Sequence, residues 1–390
     1  MPESAATQLS SLISSSHISS VKAFAWRDLD DAEAGGSEIH ADEVLRRWAA
    51  AGLSVTLRTS AVAGRPKERE RDGYRVVRRS GRYQVFPDAI IRGLRRDRRH
   101  YDAFVDIWNG VPFLTPLWAR RRSVAWLHHV HADMWKMTLG PRLARVGWFL
   151  EHRIFPLAYR RTTVCTLSNS SAHEIDEKLH LKRVRVIPPG IADKFQTGGA
   201  RSDTPLIVAV GRLAPVKRFD LLLQDFAEVH AEVPAARFVV VGEGFLRSDL
   251  EALAASLGIS DALTFAGHVS DEELVALYQS AWLVVSRSLR EGWGMTLTEA
   301  GKCGTPSVAT DIAGHRDAVR DGVSGILVDP DISLASAITR VIGDNELLDN
   351  LRRGAVSYAS ELTWDRTALE LFEALASSVP ARGQKAISPK

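Results

Sequence analysis

Five short, β-branched, apolar runs at 206–210, 237–241, 263–266, 282–286 and 307–310 are separated by helical stretches at 219–233, 248–257, 271–280 and 295–303. A strand that is apolar on both faces must be covered on both, and a helix between consecutive strands sets them parallel. This half therefore reads as a doubly wound α/β domain. The first half repeats the scheme less regularly, with strand candidates at 21–26, 53–60, 74–78, 103–107, 124–128, 164–167 and 184–187. After the first of these, a polar loop ends in Gly35 and Gly36, a helical pattern runs through Ala51, and Gly52 stops it. The segment 196–204 contains two glycines and no periodicity, and reads as a linker.

At 390 residues the chain is long enough for two or three domains, and 45% apolar with 25% charged residues supplies two ordinary cores. The expected organisation is a flexible tail over 1–20, a Rossmann-like domain over 21–195, a second over 205–363, a helix over 364–378 returning to the first, and a flexible tail over 380–390. Ligands of such sheets bind beyond the carboxyl ends of the strands, here in a crevice between the domains. Two cysteines, Cys165 and Cys303, are too few for a disulfide framework or a closed zinc site. The Ser-rich first 20 residues lack the basic start of a signal peptide, and no apolar run is long enough to span a bilayer. The expected location is the cytoplasm, with peripheral contact at the inner membrane face left open.

Charge divides the chain. Residues 1–200 hold 32 Lys and Arg against 21 Asp and Glu, a balance of +11, whereas residues 201–390 hold 18 against 26, a balance of −8. The basic half points to an acidic partner such as a phosphorylated lipid or an anionic membrane. Nucleic acid is not expected, because no recognition module accompanies the charge.

The segment from Glu291 to Glu299, EGWGMTLTE, follows a strand, passes Gly292, Trp293 and Gly294, and enters a helix at Met295 and Thr296. Glycines let backbone approach a ligand, and free N–H groups in a first helical turn attract anions. Carboxylates only accept hydrogen bonds, so Glu291 and Glu299 suit sugar hydroxyls; a cap at Glu291 and a solvated charge at Glu299 are the alternatives. Arg212 and Lys217, in GRLAPVK at 211–217, stand where a strand's end meets a helix and a phosphate would bind.

These segments, with the Gly242-Glu-Gly244 turn, the FAGHV run at 265–269 and Cys303-Gly-Thr-Pro306, resemble retaining glycosyltransferases of family 4. Gly35, Gly36 and Glu38 and the strand end Trp126-Leu-His128 match more weakly. The resemblance implies the GT-B fold, two facing Rossmann-like domains, and hexose transfer from a nucleotide-diphosphate sugar to a glycan or lipid-linked acceptor. It implies no cofactor and no essential metal. Carried over by position, Arg212 and Lys217 bind the donor diphosphate and Glu299 the ribose. Glu291 and the backbone of Gly292 to Thr296 hold the donor sugar. Gly36 approaches the diphosphate from the other domain, and His128 lies by the transferred sugar. Two departures stand out: Pro188-Pro189-Gly190 replaces the usual Pro-Asn-Gly, and His315-Arg-Asp317 occupies a region where many relatives carry an acid.

Base recognition falls near Gly267 to Val269, where Asp271 would pair with guanine and favour GDP-mannose. A capping box between Ser270 and Glu273 explains the same residues. His128, His129 and His131 form an H-H-x-H cluster without a set of further ligands, and read as packing or conformational residues around a functional His128. The stretch 88–99 reads as a helix with Ile90, Ile91 and Leu94 on one face and Arg92, Arg95, Arg96 and Arg99 opposite, packed on the sheet or lying on anionic lipid. The expected chemistry is a front-face displacement in which the leaving phosphate helps deprotonate the acceptor. A GT-B sugar-nucleotide epimerase and a non-catalytic nucleotide-sugar-binding subunit are the competing readings.

Overall fold

A computed structural model describes residues 3–119, 121–131, 135 and 140–380. The chain divides into two compact units, Met1–Gly190 with Trp364–Lys390, and Ile191–Thr363.

The first unit is built on an eight-stranded sheet in the order β3-β4-β2-β1-β5-β6-β7-β8. Its strands are β1 (Ser20–Phe24), β2 (Ser54–Thr59), β3 (Glu68–Arg71), β4 (Tyr74–Arg78), β5 (Ala103–Trp108), β6 (Ser123–Leu127), β7 (Thr163–Thr166) and β8 (Val184–Val186). All pairs are parallel except β3 with β4. Strand β3, sequence ERER, has no apolar run and so gives no period-2 signal; it is formed as the outer arm of a hairpin through Asp72 and Gly73.

Residues 1–20 do not form the expected flexible tail. Ser4 caps a helix over Ala5–Ser15, and its apolar edge buries Leu9 and Ile13 against the first unit's core. Serines masked this helix in the composition. The Trp364–Ser378 helix also belongs to this unit: the Trp48 indole N–H donates to the Ala368 carbonyl at 2.9 Å, and Phe372 packs edge-on against Trp48. Residues 381–390, the other expected tail, lie outside the described residues.

On the opposite face of the sheet, the expected inward stripe of the 88–99 helix is also corrected. Val85, Phe86 and Ala89 face inward, and the helix then widens into a π turn over Gly93–Asp97. A side chain at Gly93 would sit 2.6 Å from the Trp118 ring, so the glycine seats that indole, and the wider turn rotates the residues beyond it. Ile91, on the side of this helix away from Val85, Phe86 and Ala89, and Leu94, within the π turn, face solvent, 48% and 44% exposed, on the side of the arginines.

The second unit carries a six-stranded parallel sheet in the order β11-β10-β9-β12-β13-β14. Its strands are β9 (Leu206–Val210), β10 (Arg237–Val241), β11 (Leu263–Gly267), β12 (Leu283–Ser286), β13 (Ser307–Thr310) and β14 (Gly325–Val328). The order reverses beside β9, so the loops after β9 and β12 open at a topological switch point. The segment 196–204 is bound to this unit rather than free: Gln279 donates to the Gln196 carbonyl at 2.8 Å, the Trp282 indole donates to Ser202, and Arg201 lies over the same ring. Among the described residues no helix is long and apolar enough to cross a membrane.

Candidate active site

In the second unit, β9 runs into Gly211, and the Gly242–Gly244 turn after β10 lies directly against it. A Cβ at Gly242 would fall 2.1 Å from the Gly211 carbonyl, and one at Gly244 2.2 Å from that of Leu213. Both positions are therefore closed to any side chain. Beyond them, a short 3-10 turn over Pro215–Lys217 ends at Arg218 in the left-handed region, and the Phe219–Glu232 helix begins. Arg212 is exposed, while the Lys217 ammonium is half-buried and forms an ion pair with Glu291.

Glu291 is held in place from several directions. The Ser288 hydroxyl donates to its carboxylate at 2.8 Å, and the Leu289 amide donates to the Val216 carbonyl at 2.8 Å, tying this loop to the Lys217 turn. A Cβ at Gly314, in the Ala313–Ala318 helix, would lie 2.5 Å from the Glu291 carbonyl, so that helix backs the loop at close range. Burial, the largest single influence, opposes the charge on Glu291, but Lys217 with His315 and the Ser288 hydroxyl together hold the carboxyl below its ordinary value.

The sequence left His315 without a role. The structure buries it beneath this loop, with Nδ1 2.8 Å from the Thr310 carbonyl and Nε2 3.1 Å from the Ser286 hydroxyl. Thr310 in turn donates to the Ser288 carbonyl at 3.1 Å.

Gly294 caps the Met295–Lys302 helix without a side-chain hydrogen bond, so the amides of Met295 and Thr296 open the first turn. A Cβ at Gly294 would press to 3.1 Å on Ala318 and Leu297. Gly292 is half-buried, and Trp293 is buried. Two turns along, burial pushes the Glu299 carboxyl up to about 7, opposed by the charge of Lys194. Lys194 itself pairs with Asp271 at 2.6 Å. Gly267 adopts a φ of 68° at the end of β11, and Val269 is half-buried in the loop that comes next. The Ser270–Glu273 capping box is formed in both directions, with hydrogen bonds of 2.7 and 3.2 Å.

In the first unit, the Gly35 amide donates to Glu38 at 2.8 Å and Gly36 opens the Gly36–Ala50 helix. A charged lattice fixes the loop before it: Arg27 pairs with Glu33 and Glu38, Arg82 with Glu33, and Arg78 with the fully buried Asp28. His128, at the end of β6, is buried with Nε2 3.3 Å from Nδ1 of His40. Burial lowers both imidazoles, His40 to about 3, so the pair is neutral near pH 7. His129 and His131 stack with ring centroids 4.9 Å apart, and the His131 amide donates to Glu151 at 2.9 Å. Among the described residues no group of three His, Cys, Asp or Glu side chains is placed to hold a metal.

Comparison with known proteins gives this geometry its context. The profile of Glycosyl transferases group 1 matches residues 191–357, and that of Glycosyltransferase Family 4 matches residues 34–195. A D-inositol 3-phosphate glycosyltransferase from Geodermatophilus obscurus is 32% identical, over 91% of this chain and 88% of its own length. The chain is a family 4 glycosyltransferase. Another relative of the same name, from Frankia alni, is 30% identical over 86% of this chain and 93% of its own.

Solved structures agree on the GT-B fold of this glycosyltransferase. Sucrose-phosphate synthase from Thermosynechococcus elongatus has a TM-score of 0.75 at 21% identity, covering 91% of this chain and 97% of that one. HepE from Anabaena, solved with UDP-glucose, has a TM-score of 0.72 at 19% identity, covering 93% and 100%.

Two residues of the glycosyltransferase, His40 and Asp28, carry no motif, and a third, His315, stands in one without a role. His40 falls on the same helical face as Val44 and Trp48 and carries an apolar-face signal; Asp28 depends on Arg78, 50 positions away, and His315 on Ser286, 29 positions away, as well as on nearby Thr310, and spacing gives no cue to the distant partners.

Proposed function

We propose that this enzyme transfers a hexose from a nucleoside diphosphate to a hydroxyl of an acceptor carrying an anionic group, soluble or lipid-linked, with retention at the anomeric carbon. The observation that carries the reading is the Lys217–Glu291 pair beside the uncapped start of the Met295–Lys302 helix. Cation and helix amides suit a departing diphosphate, and the carboxylate suits sugar hydroxyls. Arg212 adds a second cation, and Glu299 accepts from the ribose. The leaving phosphate oxygen takes the acceptor's proton as the new bond forms on the same face. His128 is buried, neutral and engaged with His40, so it positions the sugar rather than moving a proton.

Two points support uridine over guanine, and so a UDP-hexose over GDP-mannose. Asp271, the side chain that would read guanine, is paired with Lys194, and HepE was solved with UDP-glucose. The relatives' name, with its phosphorylated inositol, and the +11 balance of residues 1–200 support an anionic acceptor.

The test is a panel of UDP- and GDP-sugars scored by calorimetry and hydrolysis, followed by product mass with phosphorylated polyols and lipid-linked sugars. Transfer from one donor is expected. A free isomerised nucleotide sugar would identify an epimerase, donor binding without turnover a non-catalytic subunit, and silence toward every donor would refute the proposal.

A further inference from the structure

Fifteen large apolar side chains of the described chain stand exposed, and nine of them lie on three neighbouring helical segments of the first unit, 85–100, Thr115–Ala119 and 141–159. Two of the nine are Ile91 and Leu94. The densest part is the helix Pro141–Phe149, its π turn Leu150–Ile154 and the helix Phe155–Tyr159. Pro156, with no N–H to offer, is the second residue beyond that widened turn.

This helix has two different faces. Ala144, Glu151, Phe155 and Tyr159 are buried, and a side chain at Gly147 would collide with the Trp135 ring. Outward stand Leu143, Val146, Phe149 and Leu157, each more than half exposed. Burying four such side chains is favourable by roughly 1.5–3 kcal/mol each, which solvent exposure forgoes.

The charges among them are of one sign. Arg142, Arg145 and Arg153 are exposed beside the apolar residues, Arg160 and Arg161 close the helix, and five more exposed arginines lie between 92 and 99. The acids in these same elements are turned away or paired: Glu151 is fully buried, Asp97 holds the Lys22 ammonium, and Asp88 bonds Arg58 and Arg92. Apolar side chains set among arginines, with no exposed acid among the described residues of these elements, match the interface of an anionic bilayer, where headgroups meet the guanidinium groups and acyl chains meet the apolar residues.

We infer that the outer face of the 141–161 helix is a membrane-docking surface for anionic lipid. The inner face of the same helix holds His131 and Trp135, since Glu151 accepts hydrogen bonds from the His131 amide at 2.9 Å and the Trp135 indole at 2.8 Å. Docking therefore ties His131 and Trp135, close in sequence to His128, to a helix lying on the bilayer, where a lipid-linked acceptor is presented. The inference stands on this surface alone and does not depend on the donor or the chemistry of transfer.

The full-length protein is floated with vesicles of phosphatidylcholine alone or with about one third phosphatidylglycerol, at low and high salt. Binding to the anionic vesicles at low salt is expected, at least about tenfold weaker in Arg142→Glu/Arg145→Glu/Arg153→Glu, and lost in Val146→Ser/Phe149→Ser/Leu157→Ser. Both variants should keep the parental melting temperature and hydrolysis of the nucleotide sugar. Failure to bind anionic vesicles, or binding indifferent to both variants, overturns the inference. So does reversible self-association by sedimentation equilibrium that the apolar variant abolishes, because the face would then belong to a second copy.

Discussion

Lys217 and Glu291, 74 positions apart in sequence, form a half-buried ion pair that joins the turn after β9 to the loop after β12. Glu291 titrates below its ordinary value, so its contribution to stability is full above the unfolded carboxyl range and is lost as pH falls through the depressed folded value. Lys217→Ala reverses this by leaving a buried carboxylate without its cation. A stability loss of about 1–3 kcal/mol is expected near neutral pH. Turnover should fall about a hundredfold or more with the diphosphate's cation removed. Thermal denaturation across pH and steady-state kinetics measure both; an unchanged turnover number removes Lys217 from the reaction.

Glu299 has the opposite sign. Its folded value is raised to about 7, so the stability it contributes is full below the ordinary carboxyl range and is lost as pH rises through about 7. Donor binding calls for the ionised form, since ribose hydroxyls donate and a carboxylate accepts. Nucleotide affinity should therefore climb between about pH 6 and pH 8 while the free protein loses stability over the same interval. In Glu299→Gln both slopes should flatten and affinity should drop. Calorimetry at several pH values reads the result, and a wild-type affinity that is level across the interval counts against the ribose assignment.

The neutral imidazole pair makes the first unit acid-sensitive. His40 and His128 are both lowered by burial, so the unfolded chain takes up protons that the folded one refuses, beginning near the ordinary histidine value of about 6.5. Stability should fall by up to about 1.4 kcal/mol per pH unit for each ring below that point. His40→Gln should halve the slope, measured by denaturant titration at a series of pH values.

Gly314→Ala tests the support behind Glu291. The new methyl would meet the Glu291 carbonyl, and the loop must move to accept it. We expect a cost of roughly 1–3 kcal/mol in stability and a fall of at least about tenfold in turnover, with nucleotide affinity less affected. Equal losses in stability and nucleotide affinity, with turnover kept, would place the helix outside the reaction.

Much of the fold, and the segments that make up the candidate site, were legible in the residues. The alternation of apolar runs with helical stretches from 206 to 310 located β9 to β13 and their helices, because buried parallel strands leave short uninterrupted apolar segments. Gly294 reads as letting backbone approach a ligand, and the structure shows it also packed against Ala318 and Leu297; Gly242, named only as part of a motif, lies against the Gly211 carbonyl. The failures have physical causes. The Ala5–Ser15 helix needs the Trp364–Ser378 helix to cover it, so its own serine-rich composition misleads. The stripe from Ile90 to Leu94 assumes a constant helical period, and the π turn seated on Trp118 breaks that period. The ion pair of Lys217 with Glu291 arises from strand order, which spacing along the chain does not encode.

The return of the Trp364–Ser378 helix to the first unit has a consequence for synthesis. Trp48 emerges from the ribosome early, yet the groups that cover it, the Ala368 carbonyl and the Phe372 ring, emerge more than three hundred residues later. The second unit, Ile191–Thr363, has its whole sequence available before that helix is made. The usual amino-to-carboxyl order of domain completion is thereby inverted: the inserted unit can finish first, while the unit it interrupts waits, one wall of its core open, for residues translated after Thr363.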